Sequence, residues 1–122
     1  MTINMETKIA IDGSGKTYNA AELLYHTGEV VEYEKEKYIL VRQASPDNVL
    51  GEDTPCYSAP AIRIGDSVDT DGWVDRYTVV WKVLDDYDPE GQSEDCACDW
   101  DDPYDVFPVQ SGQYNIAEGR FY

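Results

Sequence analysis

Basic residues are scarce in this sequence, and in its last third they almost vanish. Among 122 residues there are 9 Lys and Arg against 25 Asp and Glu, and one histidine, His26. From Val83 onward 11 acids face a single base, Arg120, for a net of −10; the first 82 residues carry 14 acids and 8 bases, for −6. With one histidine and no G-x-S-x-G motif there is no hydrolytic triad to assemble. A formal charge of −16 has the wrong sign for direct binding of nucleic acid by counterion release, and it also opposes anionic membrane surfaces. No apolar run approaches the roughly 18 residues that a transmembrane helix needs. The opening MTINMETKIAID has neither a basic n-region nor an apolar h-region, so the expected location is the cytoplasm. Cysteines number three (Cys56, Cys96 and Cys98), an odd count that argues for reduced thiols rather than a disulfide framework.

What the chain does have is aromatic and apolar mass. Hydrophobic residues make up 42%, with 10 Tyr and 3 Trp, enough for a folded core despite the charge. The length suits a single domain over 1–122, with a sheet-and-helix core at 1–84 and an acidic, aromatic-rich arm at 85–122 packed on it. Residues 7–12 (TKIAID) read as a short strand. A short helix is predicted after Asn19 as N-cap, with Glu22 completing a capping box, Leu23 and Leu24 on the apolar face, His26 near the end and Gly28 as C-cap. Residues 29–33 and 37–43 read as a hairpin around the charged turn Glu34-Lys35-Glu36. Residues 44–60, rich in Pro, Gly and Asp, read as loop, with a short strand at 61–64. Residues 75–84 (DRYTVVWKVL) form the strongest strand pattern, buried on both faces around Val79, Val80 and Trp81. Short edge strands are expected at 106–109 and 114–116. The predicted class is α+β: a small antiparallel sheet, one short helix and a long irregular acidic C-terminal region.

Three motifs tempt a chemical reading. Ala10-Ile11-Asp12-Gly13-Ser14-Gly15-Lys16-Thr17 resembles a phosphate-binding loop with Ala for the first Gly, but the helix would have to begin at Lys16-Thr17 and the following strands would have to be parallel. Strand-turn chemistry is the better account. Asp69-Thr70-Asp71-Gly72 matches a fragment of a calcium loop, yet Ser67 and Thr78 fall where Asp and Glu are needed. Cys96-Ala97-Cys98 has too short a spacer and too few partners, His26 and Cys56, for structural zinc. No catalytic residue, resident metal or cofactor is expected.

The acidic arm is the feature most able to carry a function. Asp85, Asp86, Asp88, Glu90, Glu94, Asp95, Asp99, Asp101, Asp102 and Asp105 lie in 21 residues without one Lys, Arg or His, interleaved with Tyr87, Trp100 and Tyr104. Like charges at this density repel and cost stability. In an extended chain Asp86, Asp88 and Glu90, or Asp99 and Asp101, would line one side about 6.6 Å apart. Such a row approaches the charge spacing of nucleic acid, roughly one phosphate per 3.4 Å along each strand. The aromatics would stand in for stacked bases or anchor an interface.

In composition and size this resembles the DNA-mimic inhibitors of phages and mobile elements, the anti-restriction and anti-CRISPR class, which share a mechanism rather than a motif. The resemblance implies a protein that is not an enzyme. It would occupy the basic channel of a nucleic-acid-binding protein or ribonucleoprotein complex, in a host cell's cytoplasm, and block target DNA or RNA. Competing readings are a non-enzymatic acidic interaction or structural module, a divalent-cation collector, and a halophilic surface. The last would spread acids evenly, against the −6 and −10 division.

Overall fold

The computed structural model describes residues 8–10, 17–19, 29–66, 71–116 and 120–121. In chain order the strands are β1 (Lys8–Ala10), β2 (Thr17–Asn19), β3 (Val30–Tyr33), β4 (Glu36–Leu40), β5 (Ser45–Asp47), β6 (Cys56–Arg63), β7 (Trp73–Lys82), β8 (Asp105–Asn115) and β9 (Arg120–Phe121). Every pairing is antiparallel. β1 and β2 form one small ribbon, and the others form a sheet ordered β3-β4-β6-β7-β8-β9, with β5 beside β6.

The class is therefore β, not α+β. Among the described residues the sole helical element is a single 3₁₀ turn, Glu94–Cys96. Asn19, expected to cap a helix, instead ends β2 opposite Lys8. The predicted helix after it lies outside the described residues. The same ribbon overturns the phosphate-loop likeness. Ala10 pairs with Thr17, and Thr17 is extended where that loop needs the first helical turn.

The β3–β4 hairpin forms where the charge pattern placed it, with Tyr33 opposite Glu36 and a two-residue turn at Glu34-Lys35. Both turn residues have positive φ, 49° and 71°, as a type I′ turn demands. Asn-Gly meets that demand at little cost, whereas Glu and Lys pay a Cβ penalty of about 1 kcal/mol or more each. Replacing Glu34 by Asn together with Lys35 by Gly is expected to stabilise the protein by about 1–2 kcal/mol, read as a higher denaturant midpoint at unchanged slope. An unmoved midpoint would show that the turn carries no such strain.

β6 is central: it extends the short strand expected at 61–64 back through 56–60, where Pro55 and Pro60 suggested a loop. Its edge toward β4 and β5 explains how Pro60 fits. Tyr38, Ile39 and Leu40 pair with Arg63, Ile62 and Ala61, whereas Ser45 to Asp47 pair with Ser58 to Cys56, a shift of two residues. The Pro60 carbonyl accepts from the Val41 amide at 2.9 Å. In an antiparallel ladder a residue's N–H and C=O face the same neighbour, so the missing Pro60 donor falls where 41–44 interrupt the ladder anyway.

β7 and β8 also break register. Asp75 pairs with Gln113 and Tyr77 with Pro108, so residues 109–112 bulge opposite Arg76. Ser111 takes φ 58° there. A Cβ on Gly112 would collide with the Val109 side chain, so the bulge needs glycine at that point. The two short strands expected at 106–109 and 114–116 are the halves of this one bent strand.

Alternation along the strands gives the sheet two apolar faces. One carries Ile39, Val41, Ile62, Val74, Tyr114 and Ile116. The other carries Tyr38, Leu40, Tyr57, Ala59, Ala61, Val79 and Trp81, and there the acidic segment packs through Ala97 and Cys98, with Tyr87 and Trp100 partly buried against them.

Candidate acidic interface

The segment 83–104 leaves β7 after Lys82 and rejoins the sheet at Asp105, opposite Val80. Backbone bonds pin it at both ends and in the middle. The Val83 amide donates to the Pro55 carbonyl at 3.0 Å, Leu84 to Ala97 at 2.8 Å, and Tyr104 to Val80 at 2.7 Å. The arm is therefore a layer laid over one face of the sheet. Its small residues Ala97 and Cys98 are buried against the sheet.

Three rings form the anchor. Trp81 is 1% exposed in the sheet, and its indole N–H donates to the Trp100 carbonyl at 3.1 Å. The Trp100 N–H donates in turn to the Asp95 carbonyl at 3.0 Å. Tyr57 donates its hydroxyl to Glu94 Oε2 at 2.7 Å. The Trp100 ring meets Trp81 at 5.3 Å and 65°, and Tyr57 at 5.4 Å and 88°, both edge-to-face. Each polar edge of the three rings is satisfied within this unit.

The carboxylates point away from it. Asp85, Asp86, Asp88, Glu90, Glu94, Asp95, Asp99, Asp101 and Asp102 are exposed, and Asp105 is half-buried. Tyr33 donates to Asp105 at 3.3 Å. Tyr104 is 55% exposed, with the Lys82 ammonium 5.9 Å from its ring centre.

An extended row of charges does not form. Asp88 accepts from the Glu90 amide at 3.0 Å, and the Gly91 and Gln92 amides return to the Asp88 carbonyl at 3.2 and 2.8 Å. Asp99 accepts from the Asp101 amide at 3.3 Å, and the Asp102 amide donates to the Asp99 carbonyl at 3.1 Å. These are Asx turns, in which a short carboxylate captures a nearby amide and curls the chain. The carboxylates are therefore carried on successive turns rather than along one straight edge.

Tyr57 and Trp81 were not singled out as site residues. Trp81 read as core, and Tyr57 fell in the stretch assigned to loop. The apolar alternation Tyr57, Ala59, Ala61 was the available signal, and Pro55 and Pro60 masked it.

The cysteines differ in exposure. Cys96 is exposed, whereas Cys56 and Cys98 are buried, with Cys56 Sγ against the Asp47 carbonyl at 3.3 Å. Among the described residues no three His, Cys, Asp or Glu side chains gather as a metal-binding group. His26 and 67–70 lie outside those residues. Burial first, then the neighbouring Cys56, pushes the Cys98 thiol up to about 11. The hydrogen bond to Glu94, then burial, pushes the Tyr57 hydroxyl up to about 12. In the native protein at pH 8 a disulfide reagent is expected to modify Cys96 quickly, and all three thiols only after unfolding. Rapid native labelling of Cys98 would mean that the arm opens freely.

Both raised groups hold their protons more tightly folded than unfolded. The stability they confer is complete below their ordinary values of 9.0 and 10.0 and is lost as pH rises through about 11 and 12. A melting temperature that falls across this alkaline window is the expected result; Tyr57→Phe should flatten its upper part.

No described helix is long and apolar enough to cross a membrane. No protein-family model, curated protein or solved structure matches the chain.

Proposed function

We propose that the protein is an acidic inhibitor of the DNA-mimic type. It binds the basic, nucleic-acid-binding surface of a host defence complex and keeps target DNA or RNA out. The observation that carries this reading is the layered arm. Its Tyr87 and Trp100 pack against the sheet while nine of its carboxylates are exposed on the outside. Holding that many like charges on one ordered layer costs folding stability. A solvated structural surface does not require that cost, and a basic partner recovers it on binding. The alternative of a divalent-cation collector is less well supported, because the carboxylates are dispersed over turns rather than gathered.

Binding is expected to compete with nucleic acid and to weaken steeply with salt. The test is to titrate the protein into a basic defence complex taken from its natural host and bound to labelled target. Displacement at low salt that disappears as salt rises supports the reading. A partner whose nucleic-acid binding is unaffected at saturation excludes it, and leaves the arm as the surface of a non-enzymatic interaction module.

A further inference from the structure

Where the arm meets the β3–β4 side of the sheet there is an open cleft of about 530 Å³. Tyr57, Trp81 and Trp100 line it, with the carboxylates Glu29, Glu94 and Asp95 around it. The rings meet at steep angles, 88° and 65°, so they form the corner of a box rather than a flat stack. Their hydroxyl and indole N–H groups are already bonded to Glu94, Asp95 and Trp100. Trp81 is 1% and Tyr57 8% exposed, so the half-buried Trp100 ring presents the aromatic surface toward the cleft, backed by the other two, and the rim contributes acceptors. Aromatic surface attracts cations through its quadrupole, and carboxylates attract them by charge and by accepting hydrogen bonds. A group that only donates and carries positive charge satisfies both.

We infer that this cleft is a guanidinium pocket, which takes an arginine side chain of the basic partner as the anchor of the interface. The inference rests on the proposed function for the identity of the partner and adds what the partner inserts. Arginine fits better than lysine. Its planar head can lie along an indole and bridge two carboxylates, whereas an ammonium is a compact, strongly hydrated point charge. The volume exceeds one side chain, so the residues flanking the arginine are held in the cleft as well.

The probe is the blocked peptide Gly-Arg-Gly, with its citrulline and lysine counterparts as controls. The readout is the indole N–H signals of Trp73, Trp81 and Trp100 in a nitrogen-15 spectrum. The arginine peptide should shift Trp81 and Trp100, leave Trp73 in place, and bind more tightly than the lysine peptide at physiological salt. The neutral citrulline peptide should bind about tenfold more weakly or not at all. Glu94→Gln keeps an acceptor for the Tyr57 hydroxyl while removing the charge, and it should weaken the arginine peptide about tenfold with the melting temperature preserved. Equal binding of citrulline, preference for lysine, absence of the indole shifts, or full affinity in Glu94→Gln would each overturn the pocket.

The variant Asp99→Asn/Asp101→Asn/Asp102→Asn separates this idea from the wider one. It should bind the arginine peptide as the unaltered protein does while losing the intact basic complex. If the peptide binds and no nucleic-acid-handling complex is displaced, the pocket stands and the inhibitor reading falls. If the complex is displaced and the peptide does not bind, the reverse holds.

Discussion

Trp81→Ala is expected to be the most damaging single substitution among the residues described, costing about 3–5 kcal/mol. The side chain is 1% exposed, lies in the strand paired on both sides, and holds the arm through its bond to the Trp100 carbonyl. A domain of this size has only about 5–15 kcal/mol in total, so the variant should sit close to unfolding at body temperature. Trp81→Phe separates packing from anchoring. It keeps most of the buried ring, loses the N–H donor, and should cost about 1–3 kcal/mol. Its signature should be local: faster hydrogen exchange at the Leu84 and Tyr104 amides, whose bonds fasten the arm, with the β6–β7 ladder unchanged. The assignment of Trp81 as the keystone fails if its alanine variant melts no lower than Val49→Ala, a change at a residue 45% exposed.

Replacing Asp99, Asp101 and Asp102 together by Asn should weaken binding to the basic partner on the order of a hundredfold at low ionic strength, with the difference shrinking as salt is added. The amide oxygen of Asn can still accept the Asp101 N–H bond that shapes the turn at Asp99, so the backbone should keep its course. Removing three like charges relieves repulsion, and the melting temperature should stay equal or rise. Undiminished binding by a folded triple variant would remove these turns from the interface. A fall in melting temperature would show that their carboxylates stabilise the fold, and the loss of binding would then need another explanation.

Patterns that depend on neighbouring residues were legible in the sequence. The β3–β4 hairpin follows from two β-rich runs around a charged turn, and β7 from its β-branched and aromatic run. Both features act locally, so no distant contact was needed to see them. Of β6 only the end at 61–63 was legible; its first part, 56–60, was not, because Pro60 reads as a strand breaker until the interruption at 41–44 in the neighbouring ladder is known, and that interruption is a tertiary fact. Asn19 misled in the same way. Its capping chemistry is real, but pairing with Lys8 decides its conformation. In the arm the residue types were legible and their geometry was misread. Alternating carboxylates suggested an extended row, while Asp-Pro-Glu-Gly at 88–91 already spelled a turn. Tyr57 and Glu94 are 37 positions apart, and no spacing rule links them.

The arm departs from and returns to one end of the same strand pair. Closing a longer or shorter loop between fixed ends changes the entropy only slowly, by about 0.6 kcal/mol per doubling of length. Residues 88–92 are exposed on that loop, so insertions and deletions there leave every strand register untouched. Trp100 and Ala97, which touch the sheet, allow no such freedom. The protein thus divides its tolerance for change: an outer stretch free to diverge as an opponent's surface diverges, on a frame with no need to follow.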